Sequence, residues 1–316
     1  EPGKYLGGMT TGGLGSTDIG NKFAVTGLSR LFYRRIGAHY NKFEQWTFPP
    51  SVATTQIMKF VKDADLEVVY TYRITNAYVR DKKIETITLE NSERPKTEPW
   101  LKIKAKQFID CTYEGDLMAK SGVSYFVGRE SNEEYEETLN GVQMSVMHQF
   151  PDGIDPYVIE GNSASGLCWG INNNSLKERG QGDKLIQAYN FRLCLTNNKE
   201  NQRAFEKPKN YDSSKYELLA RAIKKMTLNI DNFLLINWGT MPDNKYDVNN
   251  RGPLSTDMIG MNYEYPEGDY ETRDKVWKQH VDYTKGLLYF LTHDKKVPEE
   301  LRTQVGEFGW SKDEFV

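Results

Sequence analysis

Apolar residues recur every three or four positions in "AVTGLSRLFYRRIGAHY". Leu28, Leu31, Phe32 and Ile36 fall on one side of a predicted helix, with Arg30, Arg34 and Arg35 around the other. "SVATTQIMKFVKDA" repeats the pattern with Val52, Ile57, Phe60 and Val61, and Ser51, behind Pro49-Pro50, is placed to cap it. The period then drops to two. Residues 66–80, 83–91 and 101–113 alternate or are rich in β-branched side chains, with turns at Asp81-Lys82 and around Pro95, and predict a meander. Its last strand ends at Phe108-Ile109-Asp110, and a polar turn leads to a short helix, "DLMAKSG", stopped by Gly122. Strands are predicted again over 124–149, interrupted by the solvated acidic stretch "ESNEEYEETLN", and over 187–197. Residues 198–212 read as loop, and "SSKYELLARAIKKM" as an amphipathic helix capped by Ser213 or Ser214. The stretch 243–267, rich in Asn, Gly and Pro, reads as irregular. Val276, His280, Tyr283, Leu287 and Phe290 then share one helical face, and "PEELRTQV" follows.

With 316 residues the chain is long enough for a large core, in two domains by size alone. A net charge of -3 leaves no basic footprint for nucleic acid or an anionic membrane. No apolar run approaches the ~20 residues of a membrane-spanning helix, and no signal-peptide pattern opens the sequence. Cys111, Cys168 and Cys194 are far apart and odd in number, which argues against a disulfide framework. His39, His148, His280 and His293 show no metal-ligand spacing. The 19 tyrosines and 6 tryptophans suit either core packing or a pocket that stacks a ring or faces a sugar.

Two stretches carry candidate chemistry. In "YLGGMTTGGLGSTDIG", Gly7-Gly8 and Gly12-Gly13 flank Met9-Thr10-Thr11, so backbone amides can approach a ligand and two hydroxyls can meet it. A glycine-rich hairpin or bulge with no ligand reads the same way. In "FIDCTYEGD", Thr112, Gly115 and Asp116 follow a strand end, where open α/β sheets bind ligands. Helix capping accounts for Asp116 equally well.

In order, "EPGKYLGGMTTGGLGSTDIGNKFAVTGLSRLFYRRIGAHY", "FIDCTYEGDLMAKSGVSYFVGRE", "ETLNGVQ", "QAYNFRLCLT" and "NYEYPEGDYETRDKVWKQHVDYTKGLLYFL" resemble the FAD-dependent oxidoreductases of the glutathione-reductase-like superfamily, in the bacterial branch often labelled xanthan lyase. The resemblance implies a mixed α/β fold: a partial FAD-binding, Rossmann-like domain with a β-meander over 1–124, a β-rich substrate domain over 125–270, and C-terminal helices over 271–316. It implies FAD as cofactor and a small-molecule or sugar substrate. Carried over by position, Glu1 matches the acid that binds the adenosine ribose, and Lys4 lies near the diphosphate. Gly7, Gly8, Met9, Thr10 and Thr11 border diphosphate and flavin, Ile74 takes the strand position whose backbone recognises adenine, and Thr112 and Asp116 take the second cofactor-contacting turn. The family more often has Ala-Thr-Gly where this chain has Cys111-Thr112-Tyr113.

Family members open with a strand and a GxGxxG that cradles the diphosphate, and they close with a further glycine and aspartate segment. Neither pattern occurs in this sequence, so the expectation is a truncated chain that binds FAD poorly. Three readings follow. The first is a flavin-dependent redox enzyme with His148 as proton carrier and Arg192 as anion holder. The second is a polysaccharide lyase, which needs a base and a group that neutralises a uronate. The third is a non-catalytic domain.

Overall fold

The computed structural model describes residues 1–97, 99–172, 176–226 and 236–315, with side chains from 239 onward in the last stretch. Two helices open it, α1 (Gly27–His39) and α2 (Pro50–Asp63). Phe32 and Ile36 of α1 pack on Phe48, Val52 and Ala53, while Leu28 and Leu31 face solvent. Ser51 is not the cap. Pro49 holds that position, and the Ser51 amide and hydroxyl both donate to the Glu314 carboxylate, at 2.8 and 2.7 Å.

The hairpin of β1 (Tyr72–Arg80) and β2 (Lys83–Asn91) forms where alternation predicts it. Asp81 and Lys82 both take positive φ, 51° and 59°, the turn whose twist matches that of paired strands. Strand β3 (Leu101–Ile103) adds to β2 for three residues only. The expected continuation to Tyr113 is not a strand: residues 104–115 run extended or bent, and among the described residues nothing pairs with the backbone of 108–111. A short α3 (Asp116–Lys120) follows.

Beyond it come a hairpin, β4 (Tyr157–Ile159) with β5 (Asn162–Leu167), then β6 (Leu193–Thr196), β7 (Gln202–Arg203), α4 (Glu217–Met226), β8 (Ile236–Met241), β9 (Lys245–Asn250), α5 (Tyr270–His293), α6 (Glu299–Gly306) and β10 (Gly309–Ser311). The strands predicted over 124–149 are absent. Met144, Val146 and Met147 of that stretch are exposed, so its alternation has no sheet to serve. Conversely, β9 lies inside the stretch that reads as irregular.

A five-stranded sheet in the order β7-β10-β6-β9-β8 is the central layer, and every ladder among the described residues is antiparallel. Its register separates two faces. Leu193 opposes Val248, Leu195 opposes Tyr246, and Trp310 opposes Leu195, all on one face. That face joins Leu219 and Ile223 of α4, Tyr283, Leu287 and Leu288 of α5, and Leu301 and Val305 of α6 in one core. Residues on both sides of position 270 therefore share a core. The other face carries Cys194 opposite Asp247 and Thr196 opposite Lys245. Among the described residues no helix is long and apolar enough to cross a membrane, and no group of three His, Cys, Asp or Glu is placed to hold a metal ion.

Candidate functional site

The polar face of the sheet holds the glycine loop. Arg192, just before β6, reaches Asp247 on β9 with Nε to Oδ1 at 2.9 Å and a second contact from Nη2 to Oδ2. The same Oδ2 accepts the Ser16 amide at 2.9 Å. Asp247 is 1% exposed, so its charge depends on those donors for the solvation that burial removes. Gly13 sits on the Arg192 backbone with φ 124°, where a side chain would overlap the Arg192 carbonyl. Phe48 N donates to Gly15 O at 2.9 Å and closes the base of the loop.

Gly7 and Gly8 form the tip of the loop, with φ of 105° and 54°. A single turn of 3-10 helix over Gly8–Thr10 follows, held by Thr10 N to Gly7 O at 3.2 Å and Gly12 N to Gly8 O at 2.9 Å. Thr11 is buried and its hydroxyl donates to Leu6 O at 2.6 Å. That hydroxyl therefore braces the loop from inside, whereas Thr10 is half-buried. The Gly7 and Gly8 amides have no acceptor among the described residues. The Met9 amide does: it donates to the Tyr113 hydroxyl at 2.6 Å. A Cβ at Gly8 would push that hydroxyl aside, so glycine, already favoured by φ, keeps the contact open. The loop and the turn after Ile109 thus meet at one point.

On the turn side, Asp110 organises the chain. Its carboxylate accepts from Thr112 N at 2.9 Å, from Thr112 Oγ1 at 2.7 Å and from Met118 N at 3.0 Å. Burial alone would raise the Asp110 carboxyl, but the bonds from Thr112 and Met118 outweigh it and hold the group below the usual carboxylate range. Thr112 Oγ1 in turn accepts the Asp116 amide at 3.1 Å. The Asp116 side chain points elsewhere, to a two-pronged pair with Arg273 of α5 at 2.8 and 2.9 Å. Burial pulls the guanidinium down, yet the Asp116 bonds more than restore it. Arg273 also lies over the Tyr270 ring, and the Tyr270 hydroxyl donates to Ile74 O at 2.7 Å. Asp116 and Ile74 are thereby linked through the start of α5.

Glu1 lies against the entrance to β1. Its ammonium donates to Val69 O, its carbonyl accepts Tyr72 N, and its exposed carboxylate accepts Gly3 N at 2.9 Å. Lys4 pairs with Glu93 at 2.9 Å in solvent. His148 stands apart, in an exposed turn with φ 60°, and its Nδ1 is 3.1 Å from both N and O of Gly252. Its described contacts reach the loop after β9 and not the glycine loop.

The sequence matches the FAD dependent oxidoreductase family over residues 1–316. The chain belongs to that family. Neither a curated protein nor a solved structure matches it. FAD is the cofactor that membership implies, and the residues at the loop–turn contact fit it. Two amides on left-handed glycines are free for an anionic oxygen. Met9 (56% exposed), Tyr113 (68%) and Ile109 (83%) offer apolar surface of the kind a ring system covers.

Sequence reasoning missed Tyr113, Asp247, Arg273 and Tyr270. Tyr113 stands at the departure from the family's Ala-Thr-Gly, and that departure is the signal that could have found it. Nothing in the local pattern marks the other three, because each acts through a partner more than 60 residues away.

Proposed function

We propose that this chain acts as a flavin-dependent oxidoreductase whose glycine loop and second cofactor turn border the cofactor, and that its substrate is small or carbohydrate-like. When bound, FAD supplies a two-electron acceptor for the substrate. The Gly7 and Gly8 amides would hold the anionic oxygens of the cofactor, as free backbone donors do at other phosphate sites. Met9, Ile109 and Tyr113 would offer the ring apolar cover and keep water away. The Glu1 carboxylate is open to a ribose diol, and Ile74 and Thr112 border the adenine and diphosphate sides in the Rossmann-like manner that the family resemblance implies. Arg192 serves by position: its charge is spent on Asp247, which holds Ser16 and with it the loop. His148 keeps Nε2 free to move a proton, with Nδ1 fixed at Gly252.

The observation that carries this reading is the hydrogen bond from the Met9 amide to the Tyr113 hydroxyl, which makes one surface of two segments 104 residues apart. Titrating the protein with FAD and following flavin fluorescence tests it. Tyr113→Phe removes the acceptor from an exposed side chain and is expected to weaken FAD about three- to tenfold, in line with one hydrogen bond, with the melting temperature unchanged. Equal affinity in the two proteins would overturn the shared surface. Release of unsaturated uronates without flavin reduction would overturn the redox chemistry.

A further inference from the structure

We infer a second ligand site, on the opposite face of the five-stranded sheet from the glycine loop, that binds an anionic sugar. A cleft of about 350 Å³ opens at the β7 edge, lined by Arg203, Glu206, Lys207, Pro208, Lys285 and Trp310. Its size is at the small end of ligand pockets and suits one sugar-sized molecule. Trp310 opposes Leu195 in the register, so it projects to the α5 side, and Lys285 of α5 lines the same cleft. The glycine loop is held by Arg192 and Asp247, which lie on the other side. The cleft is therefore a separate site, and it does not rest on the redox reading.

Its charge is uncompensated. Three cations and one acid line it; among the described residues none of Arg203, Lys207 and Lys285 forms an ion pair, although the Lys207 ammonium lies 5.4 Å from the centre of the Tyr211 ring. Unpaired cations around a concave surface attract an anionic group and gain strength from the low-dielectric wall. Arg203 in particular offers the forked geometry that matches a carboxylate or a phosphate. The wall is the Trp310 indole, held edge-on by Phe205 with ring centroids 5.4 Å apart. An anion alone would not use that ring, whereas a pyranose that carries a carboxylate or phosphate uses both.

Calorimetric titration of the 316-residue protein with glucuronate, glucose 6-phosphate and glucose tests the site. Saturable binding of one or both anionic sugars, with glucose at least about tenfold weaker, supports it. Binding of only one of the two assigns the anion as carboxylate or as phosphate. In Arg203→Ala/Lys285→Ala, both exposed positions, the affinity is expected to fall about tenfold or more with an unchanged melting curve. Glu206→Gln is expected to tighten binding through the lost like charge. No saturable binding of either anionic sugar, equal affinity for glucose, or unchanged affinity in the double variant would overturn the proposal. FAD binding should be unaltered in the double variant, which separates this site from the glycine loop.

Discussion

The two faces of the five-stranded sheet are built on different principles. On one, Leu193, Leu195 and Val248 meet the leucines of α5 and α6 in a continuous apolar core. On the other, Arg192, Lys245 and Asp247 are buried or half-buried and meet carboxylates, a guanidinium and a serine amide. Burial of apolar surface is non-directional and stabilises whatever packs well. Buried ion pairs add little net stability, because desolvation offsets their attraction, but they demand one geometry. The difference shows what each face is for. The apolar face holds the fold, and the polar face sets where the glycine loop and the start of α2 sit.

Breaking each face in turn separates these roles. The largest loss is expected on the polar side, at Lys245, whose ammonium binds Asp313 at 2.8 Å and touches the fully buried Glu314. Lys245→Ala strands the Glu314 charge and should cost about 3–5 kcal/mol, measured by urea unfolding. Lys245→Met/Glu314→Gln should recover much of that loss, since no orphaned charge remains. On the apolar side, Leu288→Ala should cost about 2–5 kcal/mol in the same assay. FAD affinity of the folded Leu288 variant should be unchanged, because the loop touches the other face.

Acid sharpens the contrast by a smaller amount. Burial would raise the Asp313 carboxyl, but the bonds from Lys245 and Asn201 win and hold it below its ordinary 3.8. A lowered folded value means that the contribution is complete above pH 3.8 and is lost as pH falls through the folded value. Proteolysis of the C-terminal tail should therefore accelerate below about pH 4 in the native protein and change less in Asp313→Asn. The smallest effect concerns the thiols. Burial pushes Cys194, on the polar face, up to about 12, and Cys168 is raised too, while Cys111 is exposed. A thiol reagent at neutral pH should label Cys111 in the native protein and all three cysteines in denaturant.

The same contrast explains what the sequence disclosed. Wherever hydrophobic periodicity reports the packing, as in α5 and β2, the elements were legible nearly to the residue, whereas β1 starts at Tyr72, six residues after the start that its alternation predicts. Val276, His280, Tyr283, Leu287 and Phe290 are all buried as their spacing predicts. Strand β9, "KYDVNN", was not legible, because its inward residues on one face are Lys245 and Asp247 and read as surface. Strand β10 is three residues long and carries no period at all. The run from 104 to 113 has the composition of a strand but no partner among the described residues, so its propensity has nothing to act on. At the site, the glycines announced the loop. Their reasons were hidden, since the Gly8 and Gly13 constraints come from Tyr113 and Arg192, both distant in sequence.

The most direct test of the shared surface is amide hydrogen exchange with and without FAD. Slowed exchange in both residues 6–12 and residues 108–116, with little change in β4 and β5, is the predicted result. Protection confined to one of the two segments, or centred elsewhere in the chain, would contradict it.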